Sequence, residues 1–194
     1  QAGLHRFDGY RMTVFHNDPN DPGSLPDNFV SASYQDAKGV LWFGTKGGLA
    51  RFDPVTGRFQ RHLLAQPGRA LMRGVTTILP APNGELWLAT SDGLVRFDPA
   101  SGHHRAWRHE PGNLASLRDE RINALALGAD GTLWIGMASG VDRLAPGAAR
   151  FEHFTVEPAG AARRNPARDN VLSLSMGPRE TLWIGTAAGL AAWR

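Results

Sequence analysis

Cysteine is absent from this chain of 194 residues, which excludes a disulfide framework and any thiolate chemistry. No apolar run approaches the ~20 residues that span a bilayer as a helix, and the first residues do not read as a secretory leader. Lysine is nearly missing, with Lys38 and Lys46 set against many scattered arginines. The net charge is only +3, and no basic stripe or aromatic-interleaved basic strand occurs, so direct nucleic-acid binding is not expected. A sustained 3.6-residue apolar rhythm is also lacking, which argues against helical repeats.

What the chain does have is enough apolar sequence, 42% of its residues, to bury a core. Its 23 glycines and 13 prolines fall at intervals between short apolar runs, as in an all-β protein with many tight turns. Four tryptophans, Trp42, Trp87, Trp134 and Trp183, sit in the related segments GVLWFGTKGGLARFDP, GELWLATSDGLVRFDP, GTLWIGMASGVDRLAP and ETLWIGTAAGLAAWR. Their spacings of 45, 47 and 49 residues match the length of one stacked supersecondary unit, here a sheet and not a helix pair.

Each unit reads strand by strand. Val30, Val75, Ile122 and Val171 begin short runs (VSASYQ, VTTIL, INALAL, VLSLSM) that lack strict alternation, as expected of an inner strand A covered on both faces. Turns follow at Lys38-Gly39, Asn83-Gly84, Asp130-Gly131 and Arg179-Glu180; the last departs from good turn chemistry. Strand B carries Leu-Trp, and the indole is sized to fill the space between adjacent sheets. Gly48, Gly93, Gly140 and Gly189 lead into strand C, and the turns DPVTG and DPASG open strand D. In strand D, Phe59, Trp107 and Phe154 are expected to point inward, and Arg61, His62, Arg105 and Glu152 toward water.

This pattern predicts an all-β fold: a β-propeller fragment of about four four-stranded antiparallel blades, with the chain starting and ending within a blade. The expected boundaries within a single segment 1–194 are residues 1–16 for the outer strands of a first blade, then 29–63, 75–109 and 122–156, and 171–194 for the inner strands of a last blade. A blade cannot satisfy its apolar faces alone, so the end blades are expected to need neighbours. Pairing between copies through those ends is one way to supply them.

With those residues in place, the chain resembles the two-component regulator propeller family. The resemblance rests on Leu25 with Val30, Leu117 with Ile122, the four Trp segments and the Gly-Leu-x-Arg-Phe-Asp ends. It implies an extracytoplasmic, periplasmic sensor region that binds a small polar ligand or a partner protein. It further implies a membrane-anchored parent whose span, leader and output domain lie outside this sequence. The second and last blades lack the Ser-Leu lead-in seen at Ser24-Leu25 and Ser116-Leu117.

Propellers bind where the D-to-A and B-to-C loops gather, because loops on a rigid scaffold vary freely. The candidate ligand-binding residues are therefore Asn28, Lys46, Arg73, Asp92, Arg121 and Asn170, with Glu120 and Asp169 in the same loops. No cofactor or metal is expected and no catalytic residue is assigned. His16, His62, His109 and His153 recur on the outer strand, and His103 and His104 lie at a C-to-D turn, away from the channel. The stretch DPNDPG fails as a calcium loop, since Pro22 replaces an oxygen ligand and Phe29 the bidentate glutamate. Arg51, Arg96 and Arg143 are expected to pair with neighbouring blades or carbonyls. An alternative is a propeller lyase similar to virginiamycin B lyase, which requires a histidine base and a metal on the channel face.

Overall fold

A computed structural model describes residues 3–64, 74–157 and 165–194. The order is β1 (Leu4–Phe7), β2 (Met12–Phe15), β3 (Val30–Gln35), β4 (Leu41–Thr45), β5 (Gly48–Asp53), β6 (Arg58–His62), β7 (Thr77–Pro80), β8 (Leu86–Thr90) and β9 (Gly93–Phe97). It continues with β10 (His104–Trp107), β11 (Ile122–Leu127), β12 (Leu133–Met137), β13 (Gly140–Leu144), β14 (Glu152–Phe154), β15 (Val171–Met176), β16 (Leu182–Thr186) and β17 (Gly189–Trp193). Among the described residues the only helices are 3₁₀ turns at Pro166–Arg168 and Pro178–Glu180, neither long enough to cross a membrane.

These strands form antiparallel sheets in chain order: β1-β2, β3 to β6, β7 to β10, β11 to β14, and β15 to β17. The first strands β3, β7, β11 and β15 touch in succession, so they lie innermost and the sheets fan out as propeller blades around a shared axis. Bulge-position side chains tie these inner strands together, with Ser31 Oγ donating to the Val75 carbonyl at 2.6 Å and Asn123 Nδ2 to the Val171 carbonyl at 2.7 Å.

Four apolar clusters lie between successive sheets. Trp42 packs on Val75, Leu86, Leu88 and Phe97 of the next blade, Trp87 on Ile122, Leu125 and Leu133, and Trp134 on Val171, Leu182 and Trp193. Phe15 and Leu4 close the first seam against Phe43, Phe52 and Phe59. Burial follows: Trp42 is 2% exposed and Trp87 7%, whereas Trp183, which has no blade beyond it in the structure, is 42% exposed. The small residue two places after the indole has a reason as well. A Cβ on Gly44 would lie 2.6 Å from the Val75 carbonyl, and one on Gly136 would lie 2.5 Å from Val171 Cγ1, so glycine lets the next blade close in.

Three expectations need correction. Strand A is not covered on both faces throughout, since Ser31, Ser33 and Gln35 are exposed in alternation on β3; one face of the innermost strand borders the open axis. In strand D the register pairs Leu49 with His62, Leu94 with Trp107 and Val141 with Phe154, so His62, not Phe59, stands where the other blades carry an aromatic ring. Arg61 and His62 are correspondingly half-buried and not in open water.

Candidate functional site

The face that carries the D-to-A and B-to-C loops is built by repeated hydrogen bonds. In the motif after the indole, Thr45 Oγ1 donates to the Gly48 carbonyl at 2.9 Å and accepts from Gly47 N at 3.2 Å. Thr90 does the same with Gly93 O and Asp92 N. The two Ser-Leu lead-ins fold alike: Ser24 Oγ accepts from Asp18 N at 2.8 Å, Ser116 Oγ from Glu110 N at 3.0 Å, and Leu25 and Leu117 are both 0% exposed. Each leucine anchors its loop in the core while the serine closes it. These loops are therefore held in shape by their own side chains.

On this face a crevice of about 510 Å³ opens between the β3–β6 and β7–β10 blades, bordered by Asp27, Lys46, Arg61, His62, Leu63 and Ser91. Lys46 projects from a fixed backbone, since its N–H donates to the Phe29 carbonyl and its carbonyl accepts from Gly74 N, both at 3.0 Å. Its side chain is exposed. Gly47 beside it must be glycine, because a Cβ there would meet the Pro26 carbonyl at 2.5 Å.

Of the residues singled out from sequence, Lys46 borders this crevice and Asn28, Asp92, Arg121 and Asn170 do not. Asn28 Oδ1 is engaged, accepting from Asn17 N at 2.6 Å, and Asp169 Oδ1 accepts from Val156 N at 2.8 Å at the equivalent place. Arg121 is exposed, with its N–H donating to Asp119 Oδ1. Asp92 accepts from Ser91 Oγ at 3.4 Å, and the Asn170 carbonyl accepts from Ala187 N. Arg73 lies outside the described residues.

Sequence reading missed Arg61, whose guanidinium donates to the Ser24 carbonyl at 3.0 Å, the Asp21 carbonyl at 2.9 Å and Ser24 Oγ at 2.7 Å. It also missed Asp142, which is buried on β13 against Arg118 and His153. The usable signal was spacing: counting fourteen residues from Gly48, Gly93 and Gly140 reaches His62, Trp107 and Phe154, one place beyond Arg61, Ala106 and His153.

His62, His109 and His153 are not simple edge residues. His62 lies against the Trp42 and Phe97 rings, 5.4 and 5.0 Å between centroids, and its Nε2 is buried with no hydrogen-bond partner among the described residues. Burial pushes this imidazole below the ordinary histidine value, and the nearby Arg51 charge acts in the same direction. His109 Nδ1 meets the Leu117 carbonyl at 2.8 Å, and His104 begins β10 and is not in the turn. Arg96 and Arg143 pair within their own blades, with Glu85 and Glu152, and lie over Trp87 and Trp134 at 5.5 and 5.7 Å. Antiparallel register explains this, because each arginine sits directly across from its indole. Among the described residues no three histidine or acidic side chains converge as a metal-binding group. In the 18–23 loop, Asp18 accepts from Asn20 N and Asp21 from Gly23 N and Arg58.

The sheets, their indole seams and the loop face together define a segment of a β-propeller. Comparison adds to this: residues 24–47 match the family described as Two component regulator propeller. No curated protein matches the sequence. Among solved structures, the chain is similar over its full length to the extracellular domain of a protein described as the hybrid two component system BT3049 of B. thetaiotaomicron. There the identity is 22% and the TM-score 0.78, with 26% of that chain covered. A second such domain, BT4673 of the same organism, gives 19% identity, a TM-score of 0.77 and 25% of that chain with all of this one. Virginiamycin B lyase of Staphylococcus aureus is more distant, at 17% identity and a TM-score of 0.61 over 95% of this chain and 59% of the lyase. The chain thus spans about a quarter of the extracellular domains that it matches.

Proposed function

We propose that this chain is a non-catalytic, extracytoplasmic sensing segment of a bacterial signal-transduction receptor, and that its ligand is a small organic acid or acidic sugar held in the crevice beside Lys46. The observation that carries this reading is the likeness of the whole chain to the extracellular domains of hybrid two component systems, at a TM-score of 0.78. The crevice supports it: Lys46 and Arg61 supply two positive charges against the one carboxylate of Asp27, Ser91 and the backbone supply hydrogen-bonding groups, and Leu63 adds an apolar edge. A ligand bridging two blades would bias how they pack, and that difference is what an output domain would read.

Catalysis is not favoured by the histidines, because His62 is packed among rings while His109 and His153 bond to the lead-in loop. The reading is tested by thermal-shift screening of organic acids, sugar acids and neutral sugars, with Lys46→Ala as control. A stabilising acid whose effect is lost in Lys46→Ala is expected. Metal-dependent lyase activity, or an unchanged response in the variant, would contradict it.

A further inference from the structure

The two Ser-Leu loops are fastened by the same repeat position using different chemistry. Residues 61 and 153 are equivalent, pairing with Ala50 and Asp142 on the preceding strand. Arg61 fastens the 18–25 loop by donating to the Asp21 and Ser24 carbonyls at 2.9 and 3.0 Å. His153 fastens the 110–117 loop through Nε2, 2.9 Å from the Leu114 carbonyl. Its Nδ1 lies 2.6 Å from Asp142 Oδ1. The Asp142 side chain is 0% exposed; its Oδ2 accepts from Arg118 N at 2.9 Å, and the Arg118 Nε stands 3.4 Å from Oδ1. Arg118 is fixed in turn by donating to the Ser139 carbonyl at 2.7 Å.

A carbonyl oxygen and an ionised carboxylate oxygen can only accept, so both ring nitrogens of His153 must carry hydrogen for both bonds to form. Two donors on one imidazole is the imidazolium ion. We propose that His153 is a proton-operated latch on the 110–117 loop: as imidazolium it ties the loop to Asp142, and when it gives one proton to solvent it leaves a lone pair facing an acceptor and releases the loop. Arg61 is the same latch in a form that cannot release, because guanidinium keeps its proton throughout the working range. The charged and titratable groups around His153 are Asp142 from β13, Arg118 from the lead-in, and Glu110 and His109, which border the same cleft. The loop also borders a second cleft with Arg105 and Trp107, so the shape of both depends on one proton.

The test is amide hydrogen exchange on the intact chain across about pH 5 to 9, reading the 110–117 loop relative to the 18–25 loop so that the intrinsic pH dependence of exchange cancels. Asn113 and Ser116 N–H groups serve on one side, Asp21 and Ser24 on the other, since both pairs make the same local backbone bonds. The ratio of exchange rates, 110–117 loop over 18–25 loop, is expected to rise about tenfold as the imidazolium is lost, the effect of one charge-assisted hydrogen bond. His153→Arg should abolish that pH dependence. A constant ratio in the unaltered chain, or an unchanged pH dependence in His153→Arg, would overturn the proposal. Should a variant not fold, nitrogen spectra of the His153 ring in the unaltered chain decide it: both nitrogens protonated while the loop is protected supports the latch, and a singly protonated ring in a protected loop refutes it.

Discussion

His62 packs where a hydrocarbon ring would serve. Its equivalents in the other blades are Trp107 and Phe154, and its own surroundings are Trp42 and Phe97. Because burial lowers its proton affinity, the fold favours the neutral form of this ring. An unfolded histidine binds protons more readily, so this contribution is complete above the unfolded value of about 6.5 and is lost as pH falls from there through the depressed folded value. Thermal midpoints measured against pH should therefore decline on the acid side, and His62→Phe should flatten that decline. His62 and His153 were visible as histidines in the sequence, but their roles were not, because they depend on which strand-C residue lies opposite. The C-to-D turns vary, so aligning on Phe59 hid a correspondence that counting from the strand-C glycine recovers. Asp142 was hidden similarly: it occupies a position filled by Ala50, Val95 and Ala191 in the other blades.

The A-to-B turns were legible in both their rule and their exception. Gly39, Gly84 and Gly131 adopt φ of 80°, 81° and 84°, and Glu180 takes the same place at 56°, next to Arg179 at 58°. A left-handed conformation costs a β-carbon-bearing residue ~1–2 kcal/mol, so Glu180→Gly should stabilise the chain by about 1 kcal/mol in denaturant unfolding. Glycines on strand B act through the neighbouring blade and not through φ. Gly136→Ala would press a methyl on Val171 and should destabilise by about 1–3 kcal/mol. The mouth residues were less legible, since equal places in the repeat did not bring their side chains together: Lys46 reaches a crevice, while Asn28 is consumed in holding the strand before it.

Taken as a whole, the molecule is a row of sheets in which each indole is covered by the blade that follows. That much was readable because spacing and indole size are properties of the sequence. What lay beyond reach was how completely each indole is covered, a property of the neighbour. Equilibrium unfolding of Trp42→Ala beside Trp183→Ala measures it. If the seams hold the fold together, Trp42→Ala loses ~3–5 kcal/mol and Trp183→Ala, whose indole is 42% exposed, loses well under half as much. Equal losses from the two substitutions would contradict the seam-by-seam architecture on which the sensing proposal stands.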